Sequence, residues 1–278
     1  MNGAILFRDY LLPKFAERPV LSTLAAICLL LFLVQIVSAL TLDRVIEYRE
    51  VAYPSPDLPE GMDGYTIAFL TDIHTTSPQK LREIARRVGE REVDLLLLGG
   101  DFEMRKIART LDILQTIQPR EGIFGVSGNH DTPHLLSAAM ESRGMTLLEN
   151  DGLHLRQGFY LAGLADLRIG RPDLGVALEG AQPGDFVLLL SHNPDVTMGE
   201  GFEQVTLTLS GHTHGGEATL LGLWAPALPA VSRYGQRFRS GFAKSAAGTD
   251  VYVSHGVGHH LFRMFARPQV IILTLQDN

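Results

Sequence analysis

Ile67-Ala-Phe-Leu-Thr-Asp72-Ile-His74 is the stretch that decides the fold, because an apolar run of strand type ends in two side chains that bind metal ions. The same arrangement recurs at four later places in the chain. They are Leu95–Leu98 before Asp101, Gly125–Ser127 before Asn129, Leu188–Leu190 before His192, and Leu207–Leu209 before His212 and His214. In open α/β sheets, sites form beyond the carboxyl ends of the strands. The sequence therefore predicts that these seven ligand-type side chains meet at one rim.

Apolar, β-rich runs alternate with helical patterns from about residue 65 onwards. The predicted strands are Thr66–Thr71, Val93–Leu98, Gly122–Val126, Phe159–Ala165, Phe186–Leu190, Val205–Ser210, Asp250–Ser254 and Val270–Leu275. The predicted helices are Pro78–Arg91, Glu103–Ile117 and Pro133–Arg143. This alternation is typical of a layered α/β domain whose sheet strands are covered on their outer faces.

The ligand motifs differ in how specific they are. An aspartate at a strand end, as at Asp72, is most often a helix cap or a turn residue when it stands alone. Gly128-Asn129-His130-Asp131 is more specific, since it offers both a ligand and a proton donor. Gly211-His212-Thr213-His214 is the most specific, because two histidines two apart on an extended segment point the same way. Together, in this order, the motifs favour a metal site over a set of polar loops.

The stretch Val20–Leu42 carries no charge and, at roughly 20 residues, is long enough to cross a membrane as a helix. A cleaved secretory signal is the alternative, since Val37-Ser38-Ala39 offers a small-residue cleavage pattern. The length of the stretch favours a retained, single-pass membrane anchor over a cleaved signal. The numbers of basic residues on the two sides of the stretch narrowly favour an extracytoplasmic position for the domain that follows it. These residues are Arg8, Lys14 and Arg18 before the stretch, and Arg44 and Arg49 after it.

The composition changes sharply after this stretch. Pro54, Pro56 and Pro59 with Gly61 and Gly64 cannot continue a helix and predict an extended tether. The predicted organisation is an N-terminal segment 1–50 with the membrane helix at about 20–42, a linker 51–64, and a folded domain 65–278 that carries the ligand motifs.

Composition excludes several classes of protein. At 278 residues, 45% of them hydrophobic, the chain fits one globular domain with an attachment. A formal net charge of −7 without a basic run argues against nucleic acid as a partner. The single cysteine, Cys28, excludes an internal disulfide and a zinc-thiolate site.

The five motifs resemble the signature blocks of the calcineurin-like metallophosphoesterase superfamily, over about Tyr65 to Leu275. The tail Val251–Gly258 with Arg263 is similar to the membrane-associated bacterial branch of that superfamily. The resemblance implies a four-layer α-β-β-α sandwich, which here would follow an N-terminal transmembrane helix. It also implies two divalent metal ions and a role for each ligand. Asp72, His74 and His214 would hold one ion, Asn129, His192 and His212 the other, and Asp101 would bridge them, with His130 as the catalytic residue beside the phosphate.

The chemistry of these side chains agrees with such a site. Oxygen and imidazole ligands without thiolate favour Mn²⁺, with Fe or Zn²⁺ as alternatives, whereas several histidines disfavour Mg²⁺ and Ca²⁺. Two adjacent cations are a well-known means of hydrolysing a phosphate ester, and His130 can protonate the leaving oxygen. One position departs from the protein phosphatase branch, because Met104 stands where that branch has an aspartate that pairs with the catalytic histidine. Glu103 or Asp131 is left to orient His130, unless the pair is absent.

Residues outside the motifs bear on the substrate. Leu220–Pro229 is an apolar insertion that either meets acyl chains and the bilayer or packs as a buried loop. Arg233, Arg237 and Arg239 follow it and suit a phosphate or an anionic headgroup. The candidate substrate-binding residues are Arg105, Arg233 and His255.

The sequence thus predicts a membrane-anchored phosphohydrolase with a dinuclear metal centre that cleaves a phosphodiester or pyrophosphate bond. A lipid-linked substrate of lipid metabolism, such as a UDP-diacylglucosamine-type lipid A precursor, is one that the resemblance allows, and it requires a site facing the cytoplasm. The alternative within the enzymes is an extracytoplasmic phosphodiesterase acting on phospholipid headgroups or soluble esters. A non-catalytic metal-binding scaffold is the alternative of another class.

Overall fold

The computed structural model describes residues 19–226, 228, 232–258 and 263–277. Its helices are α1 (Pro19–Leu40), α2 (Pro78–Gly89), α3 (Ile107–Leu114), α4 (Pro133–Glu141) and α5 (Leu174–Ala177). Its strands are β1 (Glu47–Pro54), β2 (Thr66–Leu70), β3 (Leu95–Leu98), β4 (Ile123–Gly125), β5 (Thr146–Leu147), β6 (Asp151–Arg156), β7 (Phe159–Gly163), β8 (Phe186–Leu190), β9 (Leu207–Ser210), β10 (Gly241–Lys244), β11 (Asp250–Val253) and β12 (Gln269–Gln276). Short 3-10 turns connect several of these elements.

The strands form two six-stranded sheets. The first has the order β1-β12-β2-β3-β4-β5 and the second the order β10-β11-β9-β8-β7-β6. Strands β2, β3, β4 and β5 run parallel, as do β7, β8, β9 and β11. Because parallel strands end at the same side of a sheet, the residues after β2, β3 and β4 share one edge, and those after β8 and β9 share another.

Alternate side chains of the central strands pack into two different hydrophobic cores. Along β2, Ile67 and Phe69 point between the two sheets, whereas Ala68 and Leu70 pack against the helices on the outside. The inner core is closed from the second sheet by residues such as Leu188 and Leu209. This two-residue alternation is what places one strand between two buried layers.

Helices cover the outer faces of the sandwich. Helices α2, α3 and α4 bury their apolar faces on the first sheet through residues such as Ile84, Leu111 and Leu136. The outer face of the second sheet is covered more thinly, by the single turn α5 and 3-10 turns that bring Phe202 onto Leu189. The predicted α-β-β-α sandwich is confirmed, with one outer layer much thinner than the other.

Helix α1 projects from the domain. With the turn that follows it, Pro19–Arg44 is, within the described ranges, the one helix long and apolar enough to cross a membrane, and an 18-residue window of it has a mean hydropathy of 2.7. Its side chains are exposed apart from Ser22 and a few near its carboxyl end, where Ser38 is buried. The basic residues Arg8, Lys14 and Arg18 lie outside the described residues.

The domain begins earlier than the sequence-based boundaries place it. Residues 47–54 form β1, which pairs in parallel with β12 along its whole length. Val51 and Tyr53 are buried in the inner core, so residues 51–54 belong to the sheet and not to a linker. The prolines in this region suggested a linker. Pro54 is nevertheless compatible with β1, because it stands at the end of a strand on the edge of the sheet, where a missing N–H is tolerated.

Two further predictions differ in detail. The predicted helix Glu103–Ile117 is the short α3 between two 3-10 turns, Met104–Lys106 and Gln115–Ile117. Strands β5, β6 and β10 were not predicted, because they are short or carry polar residues at the sheet edges.

Candidate metal centre

The carboxyl ends of five strands meet at the junction of the two sheets. The first sheet contributes Asp72 and His74 after β2, Asp101 after β3 and Asn129 after β4, and the second contributes His192 after β8 and His212 and His214 after β9. The structure therefore brings together all seven predicted ligand-type residues. All are buried except Asn129, which is half-buried.

Three of these residues form one group around the Asp72 carboxylate. His214 Nε2 lies 3.4 Å and His74 Nε2 4.0 Å from Asp72 Oδ1. Asp72 Oδ2 accepts a hydrogen bond from the hydroxyl of Thr71 at 2.9 Å, and the backbone N–H of His212 also faces the carboxylate. The ligand atoms of Asp72, His74 and His214 all lie within 4.8 Å of one another, which is close enough to hold a metal ion.

His192 is the centre of a second group. Its Nδ1 lies 2.8 Å from the carbonyl oxygen of Gly99, so the Nδ1–H donates to that carbonyl and Nε2 faces the cluster. His192 Nε2 lies 3.2 Å from Asn129 Oδ1, 3.3 Å from Asp101 Oδ2 and 3.3 Å from His212 Nδ1. These atoms are all acceptors in their metal-binding state, so they repel one another unless a cation or a proton lies between them.

Asp101 belongs to both groups. Its Oδ2 lies 3.3 Å from His74 Nε2 and 3.3 Å from His192 Nε2. Its Oδ1 accepts the backbone N–H of His130 at 2.8 Å, which fixes the plane of the carboxylate. A carboxylate placed in this way between two sets of ligands suits a dinuclear metal centre.

The donor set fits first-row divalent metals. Carboxylate, amide and imidazole ligands without thiolate suit Mn²⁺, Fe and Zn²⁺. His212 Nε2 is buried and has no hydrogen-bond partner in the part of the chain that the structure describes. A buried nitrogen of this kind is costly unless a ligand or water satisfies it, so the cluster is suited to bind something that the protein itself does not supply.

Backbone strain is concentrated at the same place. Positive φ angles, which L-residues rarely adopt, occur at Asp72 (52°), His74 (37°), Asp101 (58°), His212 (69°) and His214 (51°). Each such residue costs about 1–3 kcal/mol, and strain of this kind persists where function requires it. The sheet ends turn sharply at these residues, and the turns aim their side chains into one volume.

Two glycines let the ligand loops approach each other. A Cβ atom at Gly211 would collide with the Asp72 carboxylate and the Thr71 hydroxyl. A Cβ atom at Gly128 would collide with the Asp101 carboxylate and backbone N–H. Glycine is required at both positions because any larger residue would separate the loops that carry the ligands.

Burial and mutual charge set the pKa values in the cluster. Burial opposes ionisation of Asp101, but the charge of His192 and its hydrogen bond outweigh burial, so the pKa of Asp101 lies well below its usual range. Burial likewise opposes protonation of His192, yet the Asp101 carboxylate raises the pKa of His192 well above its ordinary value. Burial and the charge of His192 lower the pKa of His212 to about 3. A proton on His192 therefore competes directly with a cation for the same place.

Asp131 is a site residue whose role the sequence did not reveal. Its buried carboxylate accepts hydrogen bonds from the backbone N–H groups of Asp101, Phe102 and Gly128, each at 2.8 Å. It therefore ties the loop after β3 to the loop after β4, which positions Asp101 and Asn129. Both carboxylate oxygens of Asp131 are used in this way, since Oδ2 accepts two of the three hydrogen bonds and Oδ1 accepts the third. The aspartate that closes the Gly128–Asp131 motif was visible in the sequence, but its burial and its three partners were not.

His130 and Arg105 line one cavity above the cluster. The cavity measures about 450 Å³ and is lined by His74, Thr75, Phe102, Glu103, Met104, Arg105 and His130. The rings of His130 and His74 meet edge to face with 5.4 Å between centroids. Arg105 is exposed there, and Glu103 is the acidic residue that shares the cavity with His130. The cavity thus joins a proton carrier and a fixed positive charge to the ligand cluster.

The other two candidate substrate-binding residues, Arg233 and His255, do not line this cavity. Arg233 lines a separate cavity of about 630 Å³, together with Arg168, Asn193 and Tyr234. His255 is buried; its Nε2 pairs with the hydroxyl of Ser240 at 2.6 Å, and its Nδ1 lies 2.9 Å from the carbonyl oxygen of Arg267. Burial, and then the charge of Arg263, lower the pKa of His255 to about 3. Both ring nitrogens of His255 are used inside the fold, which makes it a structural residue and leaves neither nitrogen to a substrate.

Comparison with known proteins agrees with this site. The family model described as calcineurin-like phosphoesterase matches residues 65–216, a range that includes all seven ligand-type residues. The chain is 31% identical over 228 residues to phosphodiesterase YaeI of Escherichia coli, covering 76% of this chain and 82% of the relative. It is 28% identical over 252 residues to metallophosphoesterase YkuE of Bacillus subtilis, covering 84% and 87%. Fold and site together define a metal-dependent phosphoesterase.

The protein belongs to the calcineurin-like phosphoesterase family, as its motifs predicted. It is also similar to a transmembrane protein with a metallophosphoesterase domain from Danio rerio, with 27% identity over 259 residues. That match covers 82% of this chain and 57% of the longer relative.

Proposed function

We propose that this protein hydrolyses phosphodiester or pyrophosphate bonds at a dinuclear metal centre. The observation that carries the proposal is the Asp101 carboxylate, whose Oδ2 lies 3.3 Å from a histidine of each ligand group. The Escherichia coli relative is named a phosphodiesterase, which supports the diester over a monoester.

We assign the ligands to two ions by their distances. Asp72, His74 and His214 would hold the first, and Asn129, His192 and His212 the second, while Asp101 would be shared by both. When bound, the two ions would neutralise phosphate charge and make a water molecule nucleophilic near neutral pH. Mn²⁺ is our choice for the metal, with Fe or Zn²⁺ as the alternatives that the same ligands accept.

The protein's own side chains would protonate the leaving oxygen, orient the ester and position the ligand loops. His130, at the mouth of the cavity, would donate a proton to the leaving oxygen and so remove its developing charge. Arg105, exposed in the same cavity, would bind a non-bridging phosphate oxygen and orient the ester. Asp131 would act through the backbone, since it holds the loops of Asp101 and Asn129 in register.

We propose that α1 is a single membrane span that holds the enzyme in a bacterial inner membrane. The length and apolarity of α1 and the names of the transmembrane relatives support it. Such an anchor favours amphiphilic substrates whose phosphate lies at the membrane surface. A site on the cytoplasmic side would suit a UDP-diacylglucosamine-type lipid A precursor. A site on the extracytoplasmic side would suit phospholipid headgroups or soluble esters, and the flanking basic residues narrowly favour this orientation.

The test is hydrolysis by the full-length protein purified in detergent, with metal analysis of the same samples. The substrates are bis-p-nitrophenyl phosphate, p-nitrophenyl phosphate and a lipid-linked pyrophosphate. Cleavage of the diester or pyrophosphate, lost on chelation and restored by Mn²⁺, is the expected result. A preference for the monoester would overturn the substrate class, and activity without bound metal would overturn the mechanism.

His130→Ala is the matched variant. It should lower diester hydrolysis by about 10²–10⁴-fold, because the leaving oxygen would depart without a proton. The metal content should not change, since His130 is not one of the assigned ligands. Protease accessibility of the domain in spheroplasts assigns its side of the membrane.

A further inference from the structure

The carboxyl end of α1 is bonded to a loop of the catalytic domain. Gln35 Nε2 donates a hydrogen bond to the carbonyl oxygen of Thr219 at 2.6 Å. The hydroxyl of Ser38 donates to the Asp43 carboxylate at 2.8 Å, and the same carboxylate accepts the backbone N–H of Phe265 at 2.8 Å. Helix α1 is therefore held against the domain at its last turns.

The loop that receives Gln35 follows the metal-ligand motif directly. It is a tight turn, residues 219–224, in which the N–H of Leu220 donates to the carbonyl oxygen of Trp224 at 2.7 Å. The guanidinium of Arg239 donates to the carbonyl oxygens of Gly222 at 2.8 Å and Gly215 at 3.3 Å. Since Gly215 adjoins the ligand His214, the turn 219–224 is fixed in position relative to the ligand cluster.

The turn 219–224 exposes three large apolar side chains. The exposed fractions are 53% for Leu220, 80% for Leu223 and 51% for Trp224. They lie beside the exposed apolar surface of α1, because the backbone of Thr219 is bonded to that helix. The segment is therefore not the buried loop that the sequence left open for Leu220–Pro229, although residues 227 and 229 of it lie outside the described residues. Adjoining apolar groups of this kind mark an interaction surface.

The position of Gln35 along α1 sets the depth of the turn 219–224. A helix of 22 residues is about 33 Å long, and the hydrocarbon core of a bilayer is about 30 Å thick, so nearly all of α1 is needed to cross it. The charged residues Glu17 and Arg18 precede the helix, which prevents a shift of the span towards the N-terminus. Gln35 lies five residues before the end of α1 at Leu40, or about 7.5 Å along the axis, so its amide and the carbonyl bonded to it lie at the edge of the hydrocarbon or within it.

We infer that the turn 219–224 is a second membrane contact, inserted into the leaflet where α1 ends, and that its occupant is the lipid bilayer. Leu220, Leu223 and Trp224 enter the interfacial region, where tryptophan is favoured. The metal cluster is thereby held at the membrane surface, so the site meets phosphate esters at the level of lipid headgroups. The inference rests on the membrane span proposed for α1. It does not depend on whether the protein hydrolyses the proposed substrates.

Trp224 makes the test direct, because it is the only tryptophan in the sequence. Full-length protein is reconstituted into phosphatidylcholine vesicles, and its emission is quenched with acrylamide from the water or with lipids brominated on the acyl chain. We expect a blue-shifted emission that shallow brominated lipids quench strongly and acrylamide quenches weakly. Strong acrylamide quenching without quenching by the brominated lipids would overturn the inference.

Two variants and an extraction separate the outcomes. Leu223→Glu should reduce the quenching by brominated lipids, since a charged side chain is costly in the hydrocarbon edge. Val176→Glu, a matched change at an exposed apolar residue of α5, should leave the quenching unchanged. Carbonate extraction of the same vesicles tests the anchor: protein that is released overturns both the span and the contact, whereas retained protein with an acrylamide-accessible Trp224 overturns the contact alone. The activity assay is independent of both results.

Discussion

The two ends of the first sheet carry similar side chains and use them in opposite ways. At the amino ends of the strands, Asp94 accepts hydrogen bonds from the backbone N–H of Thr66 and from the guanidinium of Arg120, both at 2.8 Å. At the carboxyl ends, Asp101 Oδ2 lies 3.3 Å from both His74 and His192. A buried carboxylate that meets donors stabilises the fold, whereas one that meets other potential ligands is arranged to bind a cation.

The contrast extends to the neighbours of each carboxylate. Near Asp94, the hydroxyl of Tyr65 donates to Glu121 at 2.6 Å, and Arg156 donates to the same carboxylate. Around Asp101, by comparison, the ligand His212 keeps a buried nitrogen without a partner in the described part of the chain. At the amino ends of the strands the carboxylates are thus paired with donors, which marks the structural end of the sheet. At the carboxyl ends a potential ligand is left without a partner, which marks the functional end.

The largest effect should come from removing the shared charge, with Asp101→Asn. The substitution keeps the size of the side chain but takes the negative charge from between the two ligand groups. We expect diester hydrolysis to fall by about 1000-fold or more and the bound metal to decrease. Steady-state kinetics with metal analysis measures both. A variant that kept both metal ions and its activity would contradict the proposal that Asp101, unlike Asp94, is required for metal binding.

An intermediate effect should come from Asp131→Ala, which removes a positioning residue and no assigned ligand. The backbone N–H groups of Asp101, Phe102 and Gly128 would lose their acceptor, so the loops after β3 and β4 would shift. We expect a loss of about 10–100-fold in metal affinity, as for other residues that hold ligands in place. Excess metal should restore part of the activity, and failure of such rescue would show that Asp131 acts in another way.

The smallest effect on activity should come from Asp94→Asn, the same chemical change as Asp101→Asn at the opposite end. Metal content and kcat should be unchanged, while the free energy of unfolding should fall by about 1–3 kcal/mol as the hydrogen bonds to Asp94 are disrupted. Thermal unfolding in detergent measures the difference. A large loss of bound metal in this variant would contradict the division of roles.

The stability difference should also depend on pH. Burial opposes ionisation of Asp94, but hydrogen bonds from Thr66 and Arg120 outweigh burial and lower its pKa below the ordinary value of 3.8. Because the folded-state pKa is the lower one, the stabilisation is present above about pH 4 and is lost as the pH falls through the folded-state value. Wild type and Asp94→Asn should therefore converge in stability only in acid.

The sequence alone predicted the ligand types and most central strands, because both leave local marks. A run such as Leu95–Leu98 is apolar throughout since it is buried on both faces, and a polar residue after it marks the strand end. The edge strands β1 and β6 left weaker marks. Glu47–Pro54 buries only alternate residues near its end, and Pro54 with the prolines that follow the strand suggested a linker.

The distances within the site could not be predicted, because they depend on how the two sheets pack. Whether Asp101 meets His192 is decided by the contact of a loop of the first sheet with a loop of the second, 91 positions later in the chain. Asp131 shows a second limit. Its carboxylate accepts hydrogen bonds from three backbone N–H groups, and nothing in the motif Gly-Asn-His-Asp distinguishes that role from a catalytic one.

The position of β12 has a consequence for biosynthesis. This strand lies between β1 and β2, so β1 has no partner in its sheet until residues 269–276 have left the ribosome. By then strands β2 to β11 have all been synthesised. Completion of the first sheet therefore waits for β12, and β1 can join the sheet only after β12 has done so.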